Sequence, residues 1–150
     1  VQNLIIRKAH IEDVEKLAIL FNDYRQFYAQ QNDLGLATSF INCRLNNMDS
    51  EILVALNPQQ KIIGFCQLYP TFCSVIAAPI YVLYDLFVDS TARKTGAGQS
   101  LMLAAHEHAK NNGIVRLDLT TAKNNIVAQK LYESLGWVRD DVFYTYNKVV

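Results

Sequence analysis

Only three cysteines occur in the 150 residues, Cys43, Cys66 and Cys73, and no two of them form a Cys-x-x-Cys pair. The odd count and the missing pairs argue against a disulfide framework and against zinc, so no metal is expected. Cys66 lies in an apolar run and reads as a small core residue. Reduced thiols suit a cytoplasmic protein. There is no basic excess either: 14 Lys and Arg balance 14 Asp and Glu. Binding to nucleic acid or to an anionic membrane rests on such an excess, so neither partner is expected. No apolar run approaches the roughly 20 residues of a membrane span. The opening Val-Gln-Asn-Leu-Ile-Ile-Arg-Lys lacks a signal-peptide pattern. Internal repeats, low-complexity tracts and interdomain linkers are also absent.

What is present is an apolar chain. Hydrophobic residues make up 51% of it, which argues against disorder. The length suits one domain over residues 1–150 with one core. Residues 4–9 read as a first strand. Residues 11–30 read as an amphipathic helix, with Val14, Leu17, Ala18, Phe21, Tyr24 and Tyr28 on the 3.6-residue period. A loop is expected over 31–37 and a shorter helix over 38–47. The period then changes. Residues 51–56 and 61–69 are strand-like around the turn Asn57-Pro58-Gln59-Gln60. Residues 70–79 are expected to be a connector or a second hairpin turn. Residues 80–88 are a run of β-formers long enough for a central strand.

Residues 96–112 read as a helix ending at Gly113, 115–120 as a strand, and 125–135 as a helix. One or two strands are expected from Trp137 to Tyr146. The order β-α-α-β-β-β-α-β-α-β implies an α/β fold, a mixed sheet with helices on both faces.

The segment from Asp89 to Leu101 carries the most chemistry. It follows a predicted strand and opens a predicted helix. Gly96 and Gly98 let anion oxygens approach the backbone. The first turn of a helix offers unpaired N–H groups and the positive end of its dipole. Together these make a phosphate site, with Arg93 and Lys94 adding charge. Other glycine motifs do not fit. A Walker A loop is absent, and the third glycine of the dinucleotide pattern is replaced by Leu101. Lys94-Thr95-Gly96 has no Ser-x-x-Lys to accompany it, as a β-lactamase would require. A plain turn between strand and helix remains the other reading.

Arg93-Lys94-Thr95-Gly96-Ala97-Gly98 resembles the Arg/Gln-x-x-Gly-x-Gly/Ala signature of the GNAT acetyltransferases. Asn125 to Trp137 is similar to that family's Asn-x-x-Ala-x-x-x-Tyr-x-x-x-Gly-Phe segment, with Trp137 in place of Phe. Arg7-Lys8-Ala9 and Gly64-Phe65 are weaker matches. The resemblance covers nearly the whole chain and lies nearest to the small-amine and polyamine-type members.

The resemblance implies a mixed, mostly antiparallel sheet with a splayed parallel strand pair, acetyl-CoA as co-substrate, and often a homodimer. It implies that N–H groups of Lys94, Thr95, Gly96, Ala97, Gly98 and Gln99 bind the diphosphate, with Arg93 beside it. Pantetheine would pair with the backbone of Leu86, Phe87 and Val88 in the splay. Asn125 would line the pantetheine, or would cap its helix.

The reaction so implied is direct attack of an amine on a thioester within a ternary complex. A backbone N–H near Phe87 or Val88 would serve the oxyanion. Tyr132 would be the acid at the leaving sulfur, with its ring in the core. Polyamine-type relatives read Leu-Glu-Asp in the central strand where this chain reads Leu83-Tyr84-Asp85. A Glu base is therefore excluded. Asp85 remains as base, directly or through water, or as a paired structural carboxylate. Strand alternation puts Tyr84 and Asp85 on opposite faces unless a bulge intervenes.

Tyr24, Tyr28, Tyr69 and Tyr84 are the candidates for acceptor binding, with Arg25 and Phe72 as further ones, and a small-molecule amine is the expected acceptor. Helix-face core is the competing role for Tyr24 and Tyr28. His106 and His108 do not share a helix face and read as solvated. Acetylation of a protein or peptide N-terminus or lysine is the alternative reaction. A non-catalytic acyl-CoA-binding module is the alternative of another class.

Overall fold

The computed structural model describes residues 3–150. They divide into two compact units, the first ending at Leu119 and the second spanning Thr120–Val150.

In the first unit, five strands lie in the sheet in chain order: β1 (Ile5–Lys8), β2 (Glu51–Leu56), β3 (Ile62–Cys73), β4 (Ala78–Val88) and β5 (Leu117–Asp118). The β1–β2, β2–β3 and β3–β4 pairs are antiparallel, and β4–β5 is parallel. Two helices, α1 (Val14–Phe27) and α2 (Leu34–Asn47), follow β1, and α3 (Ala97–Asn111) follows β4.

Alternation along β2 sends Ile52, Val54 and Leu56 to one face. There they join Phe65 of β3 and the buried stripe Leu17, Leu20, Phe21, Ala37 and Ile41 of α1 and α2. Full burial of such a side chain contributes about 1.5–3 kcal/mol. The stripe therefore holds the helices far more firmly than their propensity would. The opposite face meets α3 through the buried Leu101, Met102 and Ala105. Gly64 of β3 marks the closest approach on this side. A Cβ there would lie 3.1 Å from the Phe87 carbonyl oxygen and 3.3 Å from Leu101.

Helix α1 is held at its start by a two-pronged ion pair. Arg7 Nη1 and Nη2 donate to Asp13 Oδ2 and Oδ1 at 2.7 and 3.0 Å. The backbone N–H of His10 donates to Asp13 Oδ2 at 2.7 Å.

Several boundaries differ from the sequence pattern. Helix α2 begins within the predicted loop because Asp33 caps it, accepting from Leu36 N–H at 2.9 Å. Asp33 N–H in turn donates to the buried Asn22 at 3.1 Å. Strand β3 runs through Pro70, where a connector is expected, and the hairpin turn spans only residues 74–77. Pro70 is tolerated because it faces Tyr81, whose own N–H turns to the β5 side and donates to Arg116 O. The missing proline N–H points instead to the other edge, past the end of the β2 ladder at Leu68. Strand β5 is two residues long rather than six.

The second unit contains α4 (Ile126–Ser134), with Asn125 as its N-cap. Tyr132 packs its ring 6.2 Å from that of Trp137. The strands expected from Trp137 to Tyr146 do not form: among the described residues, no strand follows α4. β-forming composition is a local property, whereas a strand also needs an edge to pair with.

Candidate active site

The site begins with a bulge in β4. Gln67 pairs with Asp85, but the next residue of β3, Leu68, pairs with Leu83. Tyr84 is therefore the extra residue, and simple alternation fails between Tyr84 and Asp85. The Tyr84 ring meets that of Tyr69 edge-on at 5.5 Å. Asp85 turns to the face covered by α1.

Asp85 is buried, at 5% exposure, and so is Gln67, at 0%. Gln67 Nε2 donates to Asp85 Oδ2 at 2.8 Å, while Gln67 Oε1 accepts from Ser50 Oγ at 2.8 Å. The Tyr24 hydroxyl donates to the same carboxylate. Burial pushes the Asp85 carboxyl above its ordinary range, and the two donors only partly offset this. Burial, and after it the Asp85 charge, raises the Tyr24 phenol strongly. The same two causes push Tyr69 up to about 12. Both phenols therefore stay protonated at neutral pH and face one carboxylate.

An aromatic wall continues from this group. Tyr24 lies 5.1 Å from Tyr28, 5.7 Å from Phe65 and 5.7 Å from Phe87. The Arg93 guanidinium stands 5.9 Å from the Phe87 ring and 5.8 Å from that of Phe27. Phe87 thus lies between Tyr24, whose hydroxyl donates to Asp85, and Arg93, the first residue of the glycine loop.

The edge of β4 beside Phe87 is open. β4 pairs with β5 only through Tyr81 and Val82, and no ladder continues along 83–88. Asp89 N–H donates to Ile63 O at 2.8 Å. Alternation back from that bond turns the backbone groups of Phe87 toward β3. It leaves those of Leu86 and Val88 on the open edge.

Beyond β4, Lys94 and Gly96 both adopt left-handed backbone, with φ of 64° and 86°. Such turns form anion-binding concavities of N–H groups. Gly96 is the N-cap of α3 and has no side chain to cap it. The N–H groups of Ala97, Gly98 and Gln99 are those that helix geometry leaves unpaired. A Cβ on Gly96 would meet nothing within 4 Å, so the space over the loop is open. An acyl-CoA diphosphate fits this donor set. Thr95 turns its hydroxyl back into the loop, donating to Ala92 O at 2.7 Å.

In the second unit, Asn125 Oδ1 accepts from Ala128 N–H at 3.3 Å, which is the capping geometry. Tyr132 is half-buried on α4.

Tyr24, Tyr28, Tyr69, Tyr84 and Asp85 are thus neighbours within the first unit. Phe72 stands in solvent near the β3–β4 turn, at 75% exposure. His108 is not solvated as expected. It stacks on Tyr81 at 6.1 Å and lies 3.5 Å from Glu51. No cluster of three or more metal-ligating side chains occurs among the described residues. Sequence reasoning missed Gln67 and Ser50. The available signal was a lone amide inside the apolar run 62–68, which a buried strand keeps only with hydrogen-bond partners.

Residues 16–137 match the model of the acetyltransferase (GNAT) family. The match spans most of the chain and both units. The chain belongs to this family and is an acetyltransferase. It is 46% identical over 141 residues to the uncharacterized N-acetyltransferase YhfO of Bacillus subtilis (strain 168), covering 94% of each chain. A crystal structure of a probable acetyltransferase is similar with a TM-score of 0.91 and 34% identity, over 97% of each chain. An aminoglycoside acetyltransferase, meta-AAC0020 from an uncultured soil metagenomic sample, shares the fold with a TM-score of 0.82 at 22% identity. It covers 98% of this chain and 97% of its own.

Proposed function

We propose that the chain, acting as one cytoplasmic domain, moves an acetyl group from acetyl-CoA to a primary amine of a small molecule. The observation that carries this reading is the buried Asp85 carboxylate among the Tyr24, Tyr69 and Tyr84 phenols. A single negative charge lined by aromatic rings suits an ammonium group. With its proton affinity raised, the same carboxylate accepts a proton from that group, directly or through water.

The neutral nitrogen then attacks the thioester carbon within a ternary complex. The C–N bond forms and the C–S bond breaks. The Val88 N–H on the open strand edge is the donor proposed for the carbonyl oxygen as charge develops. Leu86 and Val88 pair with the pantetheine amides, and the loop Arg93–Gln99 holds the diphosphate. Tyr132 is assigned as the acid at sulfur, an assignment that rests on the Asn125–Trp137 motif.

Thiol release from acetyl-CoA, measured against a panel of polyamines, amino acids, aminoglycosides and basic peptides, tests the acceptor class. Turnover with a small amine supports the reading. Turnover with peptides alone moves the acceptor to proteins, and no turnover despite acetyl-CoA binding removes the small-amine claim.

A further inference from the structure

Asp85 is one point on a closed circuit of side chains in the first unit, and the circuit contains a second charged pair that the proposed steps do not use. From Asp85 the contact passes to Tyr24 through its hydroxyl. The Tyr24 ring packs on Phe21 at 6.1 Å, and Phe21 stacks on Phe40 at 5.4 Å. Over Phe40 lies the Arg44 guanidinium, 4.8 Å from the ring centroid. Arg44 Nε stands 2.9 Å from Asp49 Oδ1. Ser50, next in the chain, leads back through Gln67 to Asp85 by two hydrogen bonds of 2.8 Å. Tyr69 belongs to the same group, since its acidity responds to Asp85, to Arg44 and to Asp49. Three rings on one path, and an amide with two hydrogen bonds on the other, separate Asp85 from the Arg44–Asp49 pair. A group bound at the pair therefore lies at the other end of the acceptor from the reacting amine.

The pair itself is loosely joined. The buried Arg44 Nε–H does not line up on the carboxylate, and Nη1 and Nη2 hold no hydrogen bond among the described residues. The Asp49 carboxylate is half-exposed. A guanidinium with its Nη donors free matches a carboxylate, and the adjoining carboxylate matches an ammonium. One cation and one anion side by side are the complement of the α-carboxylate and α-ammonium of an amino acid. We propose that the acceptor is a free diamino acid, whose side-chain amine reacts at Asp85 while Arg44 and Asp49 hold its α-carboxylate and α-ammonium. This names the substrate class of the same site and rests on the small-amine reading. The side-chain nitrogen gains the acetyl carbon and CoA leaves as the thiol. One proton of the ammonium passes to Asp85, and a second, lost after attack, goes to the sulfur. A simple diamine fills only half of the pair. Its second ammonium meets Asp49 but leaves Arg44 without an anion and beside a like charge.

The test is the initial rate of thiol release from acetyl-CoA with lysine and ornithine, with their decarboxylated counterparts cadaverine and putrescine, and with lysine amide. Each amino acid should exceed its diamine in kcat/KM by about tenfold to a hundredfold, the range of hydrogen bonds to a charged group, and the difference should lie in KM. Lysine amide should fall to the level of cadaverine. Mass spectrometry of the lysine product should place the acetyl group on the side-chain nitrogen, and acetylation of the α-nitrogen overturns the proposal. Diamines turned over as fast or faster, or turnover confined to other small amines, overturn it and leave the small-amine reading standing. Turnover of peptides alone removes both. Arg44→Gln should bring the lysine-to-cadaverine ratio of kcat/KM close to one with acetyl-CoA affinity retained. The ratio is internal to each preparation, so partial unfolding does not mimic its loss. An unchanged ratio assigns Arg44 to the end of α2 alone and overturns the proposal.

Discussion

Gln67 Nε2 donates to Asp85 Oδ2 at 2.8 Å, and its amide is held in that sense by Ser50 Oγ, 2.8 Å from the amide oxygen. An ionised carboxylate can only accept, so the pair selects the charged form of a buried acid. Gln67 is thereby a positioning residue for Asp85. Gln67→Leu removes the donor and should move the acidic limb of the kcat/KM profile for the amine to higher pH. The KM for acetyl-CoA should stay unchanged. Ser50→Ala should move the limb in the same direction by less. A uniform loss of rate at every pH, with no movement of the limb, would assign Gln67 to packing alone.

Two of the three exposed left-handed glycines, Gly96 and Gly113, provide a controlled comparison. Gly96 and Gly113 have φ of 86° and 70°, and an added Cβ meets nothing at either position. Alanine at either site costs about 1 kcal/mol in backbone strain. Only Gly96→Ala should also weaken acetyl-CoA binding, by roughly tenfold, since its Cβ projects into the space over the loop (about 1.4 kcal/mol). Titration calorimetry on both variants checks this, and equal affinities would remove Gly96 from the donor site.

Acid stability should report the ion pair at the start of α1. The Arg7 hydrogen bonds hold the Asp13 carboxyl below its usual range. A depressed folded pKa stabilises at pH above the unfolded value near 3.9, and that stability is lost as pH falls through the folded value. Asp13→Asn should cost about 2 kcal/mol at pH 7, typical for hydrogen bonds to a charged group. The gap to the unmodified chain should narrow toward pH 3 in urea melts. A gap independent of pH would contradict the assignment.

Asp85 carries the opposite sign. Its folded pKa is raised, so the ionised carboxylate costs stability once pH exceeds the folded value, and none is lost below the unfolded one. Asp85→Asn keeps an acceptor for Gln67 and Tyr24 while removing the buried charge. Its Tm at pH 8 should therefore exceed that of the unmodified chain, by about 2–4 °C for each kcal/mol relieved. A lower Tm would mean that the charge is fully compensated.

How much of this was legible in the sequence follows the range of the interactions. Strand β1, helix α1 and helix α3 are set by local period and by glycine, and their residues agree closely with the pattern. The Asp33 cap and the passage of β3 through Pro70 depend on partners elsewhere in the chain, Asn22 and Tyr81. The bulge at Tyr84 has no local signal, since Leu83-Tyr84-Asp85-Leu86 reads as ordinary alternation until the register with Gln67 is known. The five site residues of the first unit were named individually from the sequence. Their closeness, and the roles of Gln67 and Ser50, needed the three-dimensional register. The segment after α4 shows the converse, strand-forming composition without a strand.

The most direct test of the account is the initial rate of thiol release by the unmodified chain and by Asp85→Asn. It is measured with the most active small amine across the pH range, with acetyl-CoA affinity determined in parallel. The account predicts a fall in kcat/KM of about 10²- to 10⁴-fold, typical of a lost general base, with acetyl-CoA affinity retained and the acidic limb abolished. A variant with an unchanged rate and pH profile would contradict it and leave Asp85 a structural carboxylate.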